Sequence, residues 1–283
     1  MIAHIASKRI PIVQAYTRTT ERLILALLLI RLLKGLSELL TYPGFPALGA
    51  AVTLVYYLAT YMVTAALIWR EREHLADFYI GRVAVILFVA GKPLILLAVA
   101  LSLTPFLGLG DVMPFMMLTP ISIGLSWKLW RDKRAVLTDR PGLPRWMLLG
   151  LSAGSVLGAL TGYLILLQSG RSSQLMSLPL VILLPLIQLT NAATYEEPFF
   201  RGFLWGLLSQ RGWRTGTIWL FQAAVFWLSH IVYIVHFPIS FWVIVPLMGL
   251  ALGLIAWRAQ DIAPAMLAHG LIDSLPQLIT GNW

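Results

Sequence analysis

The stretch LPLVILLPLIQLTNAATYEEPFFRGFLWGLL, residues 178–208, decides the fold. It is apolar over more than the roughly 20 helical residues that cross a hydrocarbon core about 30 Å thick. Yet Glu196, Glu197 and Arg201 stand in its middle. A charge at a bilayer centre costs about 2.5–3.5 kcal/mol on insertion scales, so charges kept there are functional or paired. Both halves of the observation are met by a membrane helix whose centre carries a buried polar site.

The rest of the chain supplies the bilayer. Of 283 residues, 59% are hydrophobic and only 12% charged, with a mean hydropathy of +0.81, outside the range of soluble globular domains. Further apolar runs fall near 22–40, 47–69, 83–104, 112–127, 146–168, 217–236, 241–257 and 262–280. They are continuously apolar rather than alternating, which predicts helices and not barrel strands. The expected fold is an all-α, polytopic transmembrane bundle of about eight or nine helices. It divides into N-terminal helices and loops over 1–145 and a second set over 146–283, within one integrated membrane domain.

The formal net charge of +9 is no sign of nucleic-acid binding, because the basic residues sit in short loops rather than on one soluble face. If every segment crosses, the basic clusters at 8–22, 70–82, 128–145 and 211–214, with Arg258, share one side and only Arg171 lies opposite. That predicts a cytoplasmic N-terminus and an outside C-terminus. Arg31, Lys34 and Glu38 interrupt the first run, which would also suit an interfacial amphipathic helix. The absence of cysteine excludes disulfides, thiolate metal sites and a cysteine nucleophile. The first run lacks a small-residue cleavage site and reads as a retained anchor. The longest polar loop, 128–145, is too short to fold alone, so the lipid bilayer is the working environment.

Gly150, Gly154, Gly158 and Gly162 recur every fourth residue, as do Gly249 and Gly253. Small residues at this spacing let helix backbones approach, so close packing is the expected role, with a substrate cleft as the alternative. In the central stretch, Glu197 and Arg201 are four apart and face each other on a helix, while Glu196 points about 100° away. One carboxylate is left over. Pro198 predicts a kink there, with the carbonyl at 194 freed for a neighbour. FWLSH, 226–230, puts His230 at roughly the depth of that carboxylate, counted at 1.5 Å per residue. HGLID, 269–273, puts His269 and Asp273 on one helix face at a similar depth. A lone intramembrane histidine is most often satisfied by a backbone carbonyl, and a Glu–Arg pair can be purely structural. Convergence of four such residues on three successive helices favours a reactive site.

EEPFFR, FWLSH and HGLID, in that order over about 175–280, resemble the three motifs of the CPBP family of intramembrane endopeptidases. That family includes CAAX prenyl endopeptidases and bacterial relatives linked to bacteriocin processing and self-immunity. The resemblance makes 146–283 a catalytic core. It implies that Glu196 and His230 bind and deprotonate a water, that His269 with residue 273 stabilises the oxyanion, and that Glu197 with Arg201 orients the first carboxylate. The implied partner is a peptide or membrane protein, with a prenylated C-terminus among the candidates, and the implied setting is a bacterial plasma membrane. The family pattern often ends in asparagine where this chain has Asp273. An ionised carboxylate only accepts hydrogen bonds, so Asp273 would donate to an oxyanion only if protonated. Ionised, it would orient His269 instead. Glu196, His230 and His269 are equally a ligand set for a divalent metal such as zinc, and the sequence leaves glutamate and metal chemistry open.

Two other functions compete. A proton-coupled transporter also needs intramembrane acids and histidines, and Lys92 in VAGKPLI would suit one, although a lysine paired inside the bundle is the plainer reading. No matching interrupted helices recur in the two halves, which argues against transport. The other is a catalytically idle scaffold or immunity protein that binds a partner membrane protein.

Overall fold

The computed structural model describes residues 18–41, 46–101, 109–169 and 178–281. Arg171 and the basic residues before Arg18 lie outside the described residues. Nine helical rods carry the described chain: α1 (Arg18–Thr41), α2 (Pro46–Arg70), α3 (Arg82–Ala100), α4 (Leu109–Arg131), α5 (Leu143–Ser169), α6, α7 (Thr215–Leu228), α8 (Ser240–Ala259) and α9 (Ala263–Thr280). The rod α6 is composite, built from Leu178–Gln188, a π turn Leu189–Ala193, Thr194–Glu197, a second π turn Pro198–Phe203 and Leu204–Gln210. No strand occurs among the described residues, and the fold is the expected all-α bundle. Among the described residues, five helices, α2 to α5 and α8, are long and apolar enough to cross a membrane. The protein is an integral membrane protein.

Burial follows the hydrophobic pattern. Residues 193–208 of α6 are buried all round, charged side chains included, so α6 is the central rod. A single cluster of buried apolar side chains runs from Ile24 on α1 to Ile272 on α9. Leucines at 25, 29, 32 and 33 of α1 are exposed, while Arg31 between them turns into the protein with its side chain only 11% accessible. An interfacial helix keeps its charge in water, whereas Arg31 is turned into the bundle.

The glycine stripe of α5 lies against α9. A Cβ at Gly150 would strike the Pro264 carbonyl, one at Gly154 would fall 2.6 Å from the Ala268 carbonyl, and one at Gly158 would fall 2.7 Å from the Leu271 carbonyl. Gly249 and Gly253 likewise admit α7 to α8, against Ala223 and the Gln222 side chain. Close packing is therefore their role, and no cleft opens along the stripe. Gly270 of α9 abuts Leu189 of α6, with a built Cβ 3.0 Å from the Leu189 Cα. That crossing sets α9 directly beside the charged turn of α6.

One expected helix is corrected. The run 217–236 does not continue as a single helix: α7 ends at Leu228, turns follow over 229–232, and a short helix Tyr233–His236 precedes α8. The cause is local competition for one carbonyl. Phe226 O accepts from Ser229 Oγ at 2.7 Å and from His230 Nδ1 at 2.8 Å, so the His230 N–H moves to Trp227 O, an i→i+3 bond that ends the α ladder.

Candidate active site

The site is built on Thr194–Glu197, one α turn held between two π turns. Each π turn adds a residue to the helical repeat, and such bulges concentrate at functional positions. Proline at 198 lacks an N–H and would break an α ladder. Here the second π turn absorbs it, with Leu204 N–H bonded to Phe199 O. The kink expected at Pro198 is thus a change of helical register.

Glu197 and Arg201 pair as their spacing requires: Arg201 NH1 lies 3.0 Å from Glu197 Oε1, and both side chains are fully buried. Arg201 also packs over the Phe226 ring at 4.3 Å and reaches Gly249 O at 3.4 Å. The same Glu197 oxygen accepts from His269 Nδ1 at 2.7 Å. A carboxylate paired with a guanidinium only accepts, so Nδ1 carries a proton and Nε2 faces the opposite way. There it lies 3.4 Å from Asp273 Oδ2, one helical turn along α9, and 3.9 Å from Glu196 Oε2.

His230 presents its Nε2 to the same atom, 3.8 Å from Glu196 Oε2. Because its Nδ1 donates to the Phe226 carbonyl, Nε2 of the neutral ring is left as a lone pair. Glu196 Oε2 is itself buried without a hydrogen-bond partner among the described residues. One bare carboxylate oxygen therefore faces two imidazole nitrogens across a gap that one water can bridge. The fold brings Glu196, Glu197, Arg201, His230, His269 and Asp273 to one place.

The sixth helix does not supply everything. Glu196 Oε1 is ion-paired with Arg31 NH2 from α1, and Arg31 NH1 engages Tyr56 Oη on α2. Arg31 Nε lies 3.4 Å from Ser229 Oγ, beside His230. Sequence reasoning treated Arg31 only as an interruption of the first run. The available signal was its place on the helix face opposite Leu29 and Leu33.

Lys92 stays apart from this cluster. It is buried on α3, donates to Thr190 O in the first π turn, and lies over the Tyr195 ring at 4.3 Å. This matches the plainer expectation of a lysine paired inside the bundle.

Among the described residues, no group of three or more histidine, aspartate or glutamate side chains is set to hold a metal ion. The 3.8 and 3.9 Å separations from Glu196 Oε2 also exceed the edge of about 3.4 Å that ligands at 2.0–2.1 Å make around tetrahedral zinc.

Residues 177–275, which carry all three motifs, match the family model for type II CAAX prenyl endopeptidases of the Rce1-like kind. This region is similar to type II CAAX prenyl endopeptidases, the family that its motifs resemble. No curated protein and no solved structure matches the chain.

Proposed function

We propose that the protein hydrolyses a peptide bond of a membrane-associated substrate, using a water activated by Glu196 and His230. The observation that carries this reading is the unbonded Glu196 Oε2 facing both Nε2 atoms at 3.8 and 3.9 Å. Water held between Glu196 Oε2 and His230 Nε2 loses one proton to the carboxylate as its oxygen attacks the carbonyl carbon. The carbonyl oxygen becomes an oxyanion and accepts from His269 Nε2–H. When the C–N bond breaks, the proton on Glu196 passes to the departing amine. Glu197 and Arg201 hold His269 and the helix turn in place.

Asp273 takes the orienting role. Its Oδ2 lies 3.4 Å from His269 Nε2, one helical turn away, where it accepts from an N–H on that nitrogen and fixes the ring. The substrate would be a peptide presented at the membrane, with lipid-modified C-termini the first to test, and the basic loops would lie in the cytoplasm of a bacterial cell.

The test is purification with elemental analysis, then assay of lipidated and plain peptides with wild type beside Glu196→Gln. Cleavage by wild type, loss of about 10³-fold or more in the variant, and no stoichiometric metal are expected. Cleavage that depends on a stoichiometric metal would overturn the glutamate assignment. No cleavage by folded wild type would favour a scaffold.

A further inference from the structure

We infer that Arg31, far outside the family-matched region, is a positioning residue of the hydrolytic site: it occupies one oxygen of Glu196 and so leaves the other for water. The inference rests on the hydrolase reading above and adds to it a part supplied by α1 and α2.

Three observations support it. Each carboxylate of the pair has its own guanidinium: Glu197 has Arg201 from the next turn, and Glu196 has Arg31 from a helix 165 positions earlier. The two oxygens of Glu196 are consequently unlike. Oε1 is held by Arg31, while Oε2 has no hydrogen-bond partner and faces the two histidines. A carboxylate free to rotate about its last torsion would present either oxygen to the water, and clamping one end fixes which is used.

Arg31 is also oriented by more than its charge partner. Tyr56 Oη engages NH1, and Ser229 Oγ lies 3.4 Å from Nε. Ser229 is the residue whose hydroxyl helps end α7 and present His230. A planar guanidinium can meet three groups in fixed directions, and here those groups belong to α2, α6 and the α7 turn. Arg31 thereby ties the base, Glu196, to the turn that carries His230. A cation needed only to neutralise Glu196 during insertion would not require the Tyr56 hydroxyl.

That difference supplies the test. Arg31→Met, Arg31→Lys and Tyr56→Phe are compared with wild type for kcat, KM and thermal stability on one peptide that wild type cleaves. Arg31→Met should lower kcat by about 10²-fold, as expected when a base is released from its geometry, with KM changed less than threefold. Arg31→Lys should recover part of that loss, because an ammonium keeps the charge but cannot hold three partners at once. Tyr56→Phe removes no charge and keeps the ring, yet should lower kcat several-fold with an unchanged melting temperature.

Wild-type kcat in Tyr56→Phe and in either Arg31 variant overturns the inference. So does a fall in kcat that only tracks a fall in melting temperature across all three. If Arg31→Met fails to fold, Arg31→Lys and Tyr56→Phe decide alone. A wild type that cleaves nothing removes the hydrolase reading and this inference with it, whereas a cleaving wild type with unimpaired variants removes this inference only.

Discussion

Replacing Gly154 by alanine tests whether helix approach sets the position of His269, the proposed oxyanion donor. A Cβ there would fall 2.6 Å from the Ala268 carbonyl oxygen and 2.7 Å from its Cα. Both are backbone atoms, so no side chain can swing aside. Moving from 2.7 Å to the 3.4 Å of ordinary contact requires α5 and α9 to separate by about 0.7 Å at this point. The next residue along α9 is His269, whose Nδ1 bond to Glu197 is only 2.7 Å long. Forcing a methyl into a close-packed interface costs about 1–3 kcal/mol, or roughly 2–12 °C in melting temperature for a protein of this size. A displacement approaching 1 Å of a catalytic group costs up to about 10²-fold in rate, so Gly154→Ala should lose about 10- to 10²-fold in kcat. Gly124 of α4 is the control, because nothing lies within 4 Å of its built Cβ. Gly124→Ala should be neutral or more stable by up to about 1 kcal/mol. Thermal unfolding in detergent and peptide cleavage measure both variants. Wild-type stability and kcat in Gly154→Ala would refute the reasoning.

Three more outcomes follow from named contacts. Glu197→Gln leaves Arg201 fully buried without its ion partner, and should destabilise the fold by about 3–5 kcal/mol in thermal or denaturant unfolding. Asp261, in the loop before α9, is pushed up to about 6 by burial and by nearby Asp139, while its Oδ1 accepts from Ala263 N–H at 2.8 Å. A carboxyl whose folded value lies above its ordinary 3.8 binds more protons when folded, so its contribution is present below about pH 4 and is lost as pH rises to about 6. Wild type should therefore lose up to about 3 kcal/mol relative to Asp261→Asn across that window, and parallel pH profiles of the two melting temperatures would count against it. Arg72 binds Asp132 at 2.5 Å and its carbonyl accepts from Val136 N–H at 2.9 Å, which joins the loops after α2 and α4 on one side. In this cysteine-free chain, single cysteines at Glu73 and Lys133 should label together and only from the cytoplasmic face. Labelling from outside would reverse the assigned orientation.

How much of this was legible in the sequence depends on how far apart the interacting residues are. Glu197–Arg201 and His269–Asp273 could be read directly, because a spacing of four fixes them on one helix face, and both pairs meet in the fold. The approach of three helices at one depth was legible too, since rise per residue converts position into depth. What could not be read was any departure from an ideal helix. Two π turns rotate the charged segment of α6, and only Pro198 hinted at one of them. The end of α7 carries no glycine or proline and is made by Ser229 and His230 competing for the Phe226 carbonyl.

The partner of Glu196 was hidden for a different reason. Nothing local pairs it, and the cation that does sits in α1, where an arginine among leucines also fits the description of a broken anchor. A buried carboxylate with no local partner implies a cation somewhere in the bundle, because an unpaired charge in the membrane interior costs too much to keep. The apolar runs before the motifs held three candidates well inside them, Arg31, Lys34 and Lys92. The helical wheel separates their helix faces but not their neighbours. The motif region therefore carries the acids and histidines of the proposed site, while the cation that pairs Glu196 comes from the other half of the chain.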